Sequence, residues 1–529
     1  MLKLEDLIFL IKNLTTAEKH HFTRNTTLDA KYRKLYDMLS QHAGEGADDH
    51  KNTLITNKAR RAMKTNGVLA TAQNFLGKAL LRSLRIQKGD TDNRDLSKED
   101  LIKALIQESK LLLQHGIYDT AIGRCKEAIE LGTTYEYPAL VCEALRQLIY
   151  LSGQQDSKQY HLGMEQYLER LDYFSQLQKN EYDYFILQYR TLLLFRRSRS
   201  AHSPEVQSAV SNLLENPLLK NLPAEATFLS KAHFYNAHAA LCAVSGDRKM
   251  AQAHHFSALQ LWVNPDYKIF KAERPRLFIV HLANYLTYCN TLYSFDNFQE
   301  YYKQLETALT PTFDDEAEAF QNRIFIKQQY HLNRDELEIA ADLIGEMETG
   351  LAKYQAKVNK SRELTLRYHH IVALFALEKY QDALSFVKRL SERGKTEQRT
   401  DIQFFIKVFR ILIHYELNDK ADLDTMVKST KIIFDHNKEL FDYDRIVLTN
   451  LAKVVKLKLY RLPDEKTAAE IRNSFAEFRD SLLKFAQRAP KPIGFTELLL
   501  WVKKGASPVP VTFRDMLREE IAINKRSIS

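Results

Sequence analysis

Apolar residues recur along most of this chain at intervals of three and four, which is the pattern of amphipathic helices. The first such stripe comprises Leu4, Leu7, Ile8, Ile11 and Leu14. Directly after it, Thr15-Thr-Ala-Glu18 has the spacing of a capping box, so a second helix is expected to begin there. Further short helices are predicted at 57–64 and 68–86. The polar, turn-like segment 89–94 then predicts the end of a first region near residue 88.

From about residue 98 the apolar stripes come in pairs separated by short turns. In the first pair, Gly116 lies at the predicted turn, Tyr118 follows two residues later, and Ala121 lies where the second helix approaches the first. Alanine lets two helix backbones come close, and glycine adopts unusual turn conformations at little cost. Gly246 and Ala251 repeat this arrangement, which predicts another helix pair.

Positions equivalent to Ala121 continue through the second half of the chain. They are Ala251, Tyr301, Ala340, Ala383 and Leu423, at intervals of 50, 39, 43 and 40 residues. A period near 40 is the length of a helix pair. The pattern resembles the tetratricopeptide repeat, although Tyr301 and Leu423 replace alanine and the turn glycine is missing after the Ala251 unit.

This resemblance implies an all-α fold in which TPR-like helix pairs form a right-handed α-solenoid. Residues 98–462 would form the array, 1–88 a small basic N-terminal helical domain, and 463–529 C-terminal helices that cap the array. The opening of the chain, including Tyr32-Arg-Lys-Leu-Tyr36, resembles a group of uncharacterised bacterial helical-repeat proteins. That second resemblance implies no activity.

Composition agrees with a helical, soluble chain. Only 16 Gly and 12 Pro occur in 529 residues, too few for the frequent turns of a sheet-rich fold. No apolar run approaches the roughly 20 residues that cross a bilayer, and the N-terminus does not read as a signal peptide. The four scattered cysteines fit small buried side chains in a reducing compartment. We therefore expect a cytoplasmic protein without a membrane span.

The net charge of +9 is concentrated at the N-terminus, where residues 1–88 carry 16 Lys and Arg against 8 Asp and Glu. Such asymmetry suits a surface facing nucleic acid, an anionic membrane or an acidic protein, and an ordinary solvated face explains it as well. The residues of this basic patch are Lys58, Arg60, Arg61, Lys64, Lys78, Arg82 and Arg85. A regulator whose N-terminal helices bind nucleic acid while the solenoid senses a ligand is therefore the alternative function.

Catalytic motifs are missing from the sequence. There is no P-loop, no dinucleotide-binding glycine motif, no His-Glu-x-x-His and no nucleophile elbow. The histidine doublets, such as His254-His255, point about 100° apart on a helix and do not present two ligands together. The sequence predicts no enzyme, no metal site and no cofactor.

In tetratricopeptide-type arrays the first helix of each pair lines a concave groove, and the resemblance carries this role over to particular residues here. They are Lys103, Lys110, Gln114, His233, Asn236, Asn322, Gln329 and Tyr368. Lysines, amides and aromatic rings in such a groove suit an extended or helical peptide. The leading prediction is a scaffold or adaptor that binds a protein or peptide, with the partner's identity, the pathway and the oligomeric state left open.

Overall fold

The computed structural model describes residues 4–26, 30–41, 66–90, 97–153, 158–197, 204–355, 357–392, 400–436, 442–460, 464–488 and 491–526. Within these ranges every regular element is helical and no strand occurs, so the predicted all-α class is confirmed. None of the helices described is both long and apolar enough to cross a membrane.

The chain divides into two compact units, Met1–Gln178 and Lys179–Ser529. Neither predicted boundary, near 88–98 or at 462, coincides with this division. The reason lies in a long helix, Lys158–Arg197, that contains the division point. Its residue Phe174 belongs to a hydrophobic core of the first unit, whereas Tyr184 and Leu187 belong to a core of the second.

The first unit contains two separate hydrophobic cores. Its helices are α1 (Leu4–Asn13), α2 (Thr16–Arg24), α3 (Lys31–Gln41), α4 (Asn66–Asp90), α5 (Lys98–Gln114), α6 (Tyr118–Thr134), α7 (Pro138–Ser152) and the first part of α8 (Lys158–Arg197). One core is built from residues 4–80 and the other from 102–174. The predicted capping box is present: Glu18 N donates to Thr15 Oγ1, and Thr15 N donates to Glu18 Oε2 at 2.6 Å. Residues 4–80 thus have a core of their own.

The second unit begins with the remainder of α8 and continues in short helices. They are α9 (Pro204–Leu214), α10 (Pro217–Lys220), α11 (Phe228–Val244), α12 (Arg248–Gln260), α13 (Phe270–Glu273), α14 (Pro275–Leu292), α15 (Phe298–Glu306), α16 (Phe313–Leu332), α17 (Leu337–Asp342) and α18 (Ile344–Lys353). After these come α19 (Lys360–Ala376), α20 (Tyr380–Glu392), α21 (Thr400–Glu416), α22 (Lys420–His436), α23 (Asp442–Tyr460), α24 (Glu465–Arg488), α25 (Phe495–Ala506) and α26 (Phe513–Arg526).

Helices of the second unit pack in a repeating order. Most of these helices contact a neighbour in sequence, and α14, α16, α19 and α21 also pack one against the next. Among the marker positions, Ala251, Ala340, Ala383 and Leu423 are completely buried, and in the first unit so is Ala121, whereas Tyr301 is only half-buried. Small side chains at close helix contacts were the basis of the predicted pairs, and their burial confirms that part of the prediction.

The helix pairs share one turn conformation. Gly116 and Gly246 adopt positive φ angles of 74° and 85°, as their predicted place in a turn requires. Five residues other than glycine adopt the same left-handed conformation, with φ between 50° and 62°: Glu136, Tyr293, Asp335, Glu378 and Asn418. The turn therefore recurs where the sequence has no glycine to indicate it.

A common hydrogen bond accompanies this turn. In six cases the residue after the left-handed one donates its N–H to the carbonyl five residues earlier, at 2.8 to 3.0 Å. The donors are Ile117, Tyr137, Ser294, Glu336, Lys379 and Asp419. This is the Schellman arrangement, which satisfies carbonyl groups that a helix end otherwise leaves unpaired.

The left-handed region costs a residue with a β-carbon about 1–2 kcal/mol. Glycine and alanine at position 378 are therefore expected to give different free energies of unfolding, and the side chain of Glu378 itself is exposed. Glu378→Gly should unfold with a free energy about 1 kcal/mol higher than Glu378→Ala. Urea unfolding followed by tryptophan fluorescence measures this, since both tryptophans, Trp262 and Trp501, are buried in the second unit. Equal stability of the two variants would contradict the assigned turn.

Candidate functional site

The face of the second unit around Asp335 holds a helix from a distant part of the chain. Asp335 lies in the left-handed turn between α16 and α17, and the helix it holds is α26. Arg514 and Arg518 of α26 both donate hydrogen bonds to the Asp335 carboxylate. The chain thus binds one of its own amphipathic helices across a separation of 179 residues.

Arg514 is the centre of this contact. Its guanidinium donates from Nε to Asp335 Oδ1 at 2.8 Å and from Nη2 to the Asp335 backbone carbonyl at 3.0 Å. It also donates through both Nη atoms to the Glu338 carboxylate, at 2.7 and 3.2 Å. These hydrogen bonds raise the pKa of Arg514, and the hydrogen bond from Arg514 lowers the pKa of Glu338. The planar fork of arginine suits such a four-bond contact, which lysine cannot reproduce.

An aromatic anchor lies beside these ion pairs. The Phe513 ring is buried and meets the Phe375 ring edge-on, with ring centroids 5.1 Å apart. Thr512, which precedes α26, exchanges hydrogen bonds with Asp515 in a capping arrangement that starts the helix. Phe513 and Ile521 are the two buried residues of α26. Two buried apolar side chains and the arginine ion pairs therefore hold this helix in place.

The preceding helix, α25, is embedded much more deeply. Phe495, Leu498, Leu500, Trp501 and Val502 are almost completely buried. Glu416, at the end of α21, accepts hydrogen bonds from Trp501 Nε1 and Lys504 Nζ, both at 2.7 Å. A helix buried on most of its surface is part of the core rather than a bound ligand.

Tyr368, a predicted groove residue, is covered by this part of the chain. It is only 4% exposed, and its ring lies 6.0 Å from that of Phe405. Burial raises the pKa of the neighbouring Glu497 carboxyl above its usual range and raises that of Tyr368 as well. Tyr368 therefore supports α25 and does not face a groove open to solvent.

The other groove residues of the second unit mostly contact neighbouring helices. His233 Nδ1 lies 2.5 Å from Gln188 Oε1, and the Asn236 amide lies 3.2 Å from His281 Nε2. Asn322 is buried; it donates to Glu318 and accepts from Arg362 Nη2 at 3.3 Å. Gln329 is half-buried. Such contacts hold successive helices together. Helical spacing therefore predicted which residues share a helix face, but not that this face packs against other helices.

The groove residues of the first unit lie on the surface of α5. Lys103 forms an ion pair with Glu99 on the same helix, Lys110 pairs with Glu143 of α7 at 2.6 Å, and Gln114 is exposed. Exposed ion pairs of this kind contribute little to stability. These residues remain available to a partner, and their predicted role stays a prediction.

The basic patch is described only in part. Lys58, Arg60, Arg61 and Lys64 lie outside the described residues. Lys78 and Arg82 are exposed on α4, which also contains Arg85. The nucleic-acid prediction is therefore untested and stays a prediction.

Metal and thiol chemistry find little support in the described residues. No group of three or more His, Cys, Asp or Glu among them is placed to hold a metal ion. Cys125, Cys142 and Cys289 are buried free thiols, as expected, and burial raises the pKa of each. Raised thiol pKa values disfavour the reactive thiolate.

The contact between Arg514 and Asp335 was not predicted from the sequence. The only signals were the spacing of Arg514 and Arg518, one helical turn apart, and of Asp335 and Glu338, three residues apart. Either spacing is common on solvated helices, and nothing in the sequence pairs two sites so far apart. Comparison with protein-family models gives no match, and comparison with curated proteins gives no significant one.

Three histidines, of which His281 is buried and His233 and His255 are half-buried, predict how the stability of the second unit depends on pH. Trp262 Nε1 donates to His281 Nδ1 at 2.9 Å, so His281 Nδ1 must be the unprotonated acceptor nitrogen of a neutral ring. Burial lowers the pKa of His281 to about 3 and those of His233 and His255 to about 4. The unfolded chain, with histidine pKa values near 6.5, thus binds more protons between about pH 4 and pH 6.5.

The free energy of unfolding is therefore expected to fall as the pH drops from 6.5 toward 4, by up to about 1.4 kcal/mol per pH unit for each of these histidines. Urea titrations across this range, read by tryptophan fluorescence, measure the slope. His255→Phe keeps the ring contact with Tyr288 and should reduce the slope by about one proton. If the pH dependence of the free energy of unfolding does not change in His255→Phe, this histidine has the same pKa in the folded and unfolded states.

Proposed function

We propose that this chain is a non-catalytic scaffold that binds proteins or peptides, built as a TPR-like, right-handed α-solenoid. The repeated left-handed turn and the packing of α14, α16, α19 and α21 in succession support the solenoid. Arrays of this kind present a continuous surface, and each helix pair contributes one segment of it.

The binding face we propose is the acidic turn Asp335–Glu338 together with Phe375. The observation that carries this proposal is the docking of α26, through Arg514 and Phe513, onto this face. A surface that holds a basic amphipathic helix within one chain has the chemistry to hold a similar helix from another protein: acidic acceptors for arginine and an aromatic site for the anchor. The partner class is therefore a basic amphipathic helix.

A labelled peptide of residues 509–526 tests this proposal when added to the full chain. In the wild-type chain its own α26 competes for the face, so the peptide binds weakly. In the Arg514→Glu, Arg518→Glu chain the internal helix is repelled by Asp335, and the peptide is expected to bind about tenfold or more tightly, a difference of about 1.4 kcal/mol. Fluorescence anisotropy measures both affinities.

Two controls assign the binding to this face. Adding Asp335→Asn and Glu338→Gln to the double variant removes the acidic acceptors, while asparagine still accepts the left-handed turn; peptide binding should then be lost. A peptide carrying Arg514→Glu and Arg518→Glu should bind neither chain. If the double variant stays folded and binds the wild-type peptide no better than the wild-type chain does, the proposed face is wrong.

A further inference from the structure

A stripe of large apolar side chains lies exposed on the part of α8 that belongs to the second unit. The outward stripe comprises Tyr182, Phe185, Ile186, Tyr189 and Leu193, and each of these residues is between 44% and 54% exposed. The opposite face of the same helix carries Tyr184, Leu187 and Thr191, all buried. The helix thus has two apolar faces, and one of them packs within the unit.

The outward stripe is large for a surface feature. A buried aromatic side chain contributes about 150–250 Å², so five large side chains about half exposed present on the order of 500 Å². The largest apolar patch on a typical monomer measures about 300–600 Å² and often serves a function. Two such stripes in contact would cover roughly 1,000 Å² in total, the lower limit for a specific interface.

The spacing of the stripe is symmetric about its centre. Tyr182, Ile186, Tyr189 and Leu193 follow one another at intervals of four, three and four residues, which is the core spacing of a coiled coil. The intervals are the same when the helix is followed in the opposite direction. In an antiparallel pair, Tyr182 of one copy would face Leu193 of the second and Ile186 would face Tyr189. Lys179, one heptad before Ile186, is polar and exposed and ends the stripe.

The charges beside the stripe can pair with the opposite charges beside the stripe of a second copy. Asp183 and Arg190 lie seven residues apart and flank the same edge of the stripe. In the antiparallel arrangement Asp183 of one copy approaches Arg190 of the second, and the two-fold axis repeats the pair. In a parallel pair this edge of one helix would face the other edge of its partner, so Asp183 and Arg190 would not meet. Charge complementarity therefore favours a second copy of this chain, in the antiparallel orientation.

From this geometry we propose that the protein self-associates through the outward stripe, as an antiparallel, two-fold pair of α8 helices. The surface is separate from the face around Asp335, so this proposal goes beyond the scaffold function and does not depend on peptide binding. Because the contact is small, the dimer should dissociate measurably on dilution.

Sedimentation velocity of the full chain over a hundredfold concentration series tests the proposal. The wild-type chain should shift from monomer to dimer, whereas Ile186→Asp should stay monomeric throughout. Ile339→Asp is the matched control, since Ile339 is also an isoleucine about half exposed, outside the stripe; it should dimerise as the wild type does. A wild-type chain that is monomeric at every concentration, or an Ile186→Asp chain that dimerises normally, would overturn the proposal.

A charge exchange identifies the orientation. Asp183→Arg alone and Arg190→Asp alone each place like charges together and should weaken the homodimer about fivefold or more. An equimolar mixture of the two variants restores both opposite-charge pairs and should form a heterodimer in preference to either homodimer. Variants that dimerise as the wild type does, with no preference on mixing, would exclude the antiparallel pairing.

Discussion

The left-handed residue that closes the first helix of each pair is the constraint on which the rest of the structure depends. It reverses the chain within a few residues, and its neighbouring N–H satisfies a carbonyl that the helix end leaves unpaired. With the turn fixed, the second helix lies close to the first, and only a small or well-fitted side chain can stand at the contact. The completely buried Ala251, Ala340 and Ala383 follow from that geometry.

The local features that can be predicted from the sequence are those that act over a few residues. The Thr15–Glu18 capping box and the turn glycines Gly116 and Gly246 have short-range signatures and are present as expected. Tyr293 and Glu378 occupy the same turn conformation without any signature, because the surrounding helices impose it on them. Propensity favours such a turn at glycine and also at Asp335 and Asn418, whereas packing imposes it on Tyr293 and Glu378.

The candidate site was much less predictable than the fold. Helical spacing placed Asn236 and Asn322 on faces that meet other helices, yet it could not distinguish a partner in the same chain from one in another. Arg514 and Asp335 form the most extensive charged contact of the proposed face, and their separation of 179 residues leaves no local pattern. Which surfaces the chain covers with its own helices is a property of tertiary structure, and a local sequence pattern does not contain it.

The long separation between Arg514 and Asp335 also has a kinetic consequence. Helix pairs form between near neighbours in sequence, which is fast because little chain entropy is lost on closing short loops. The contact between α26 and the Asp335 turn closes a loop of 179 residues. It stabilises the chain only after the intervening helices have formed. The acidic turn is therefore expected to be covered late in the folding reaction, after the helices between Asp335 and Arg514 have formed.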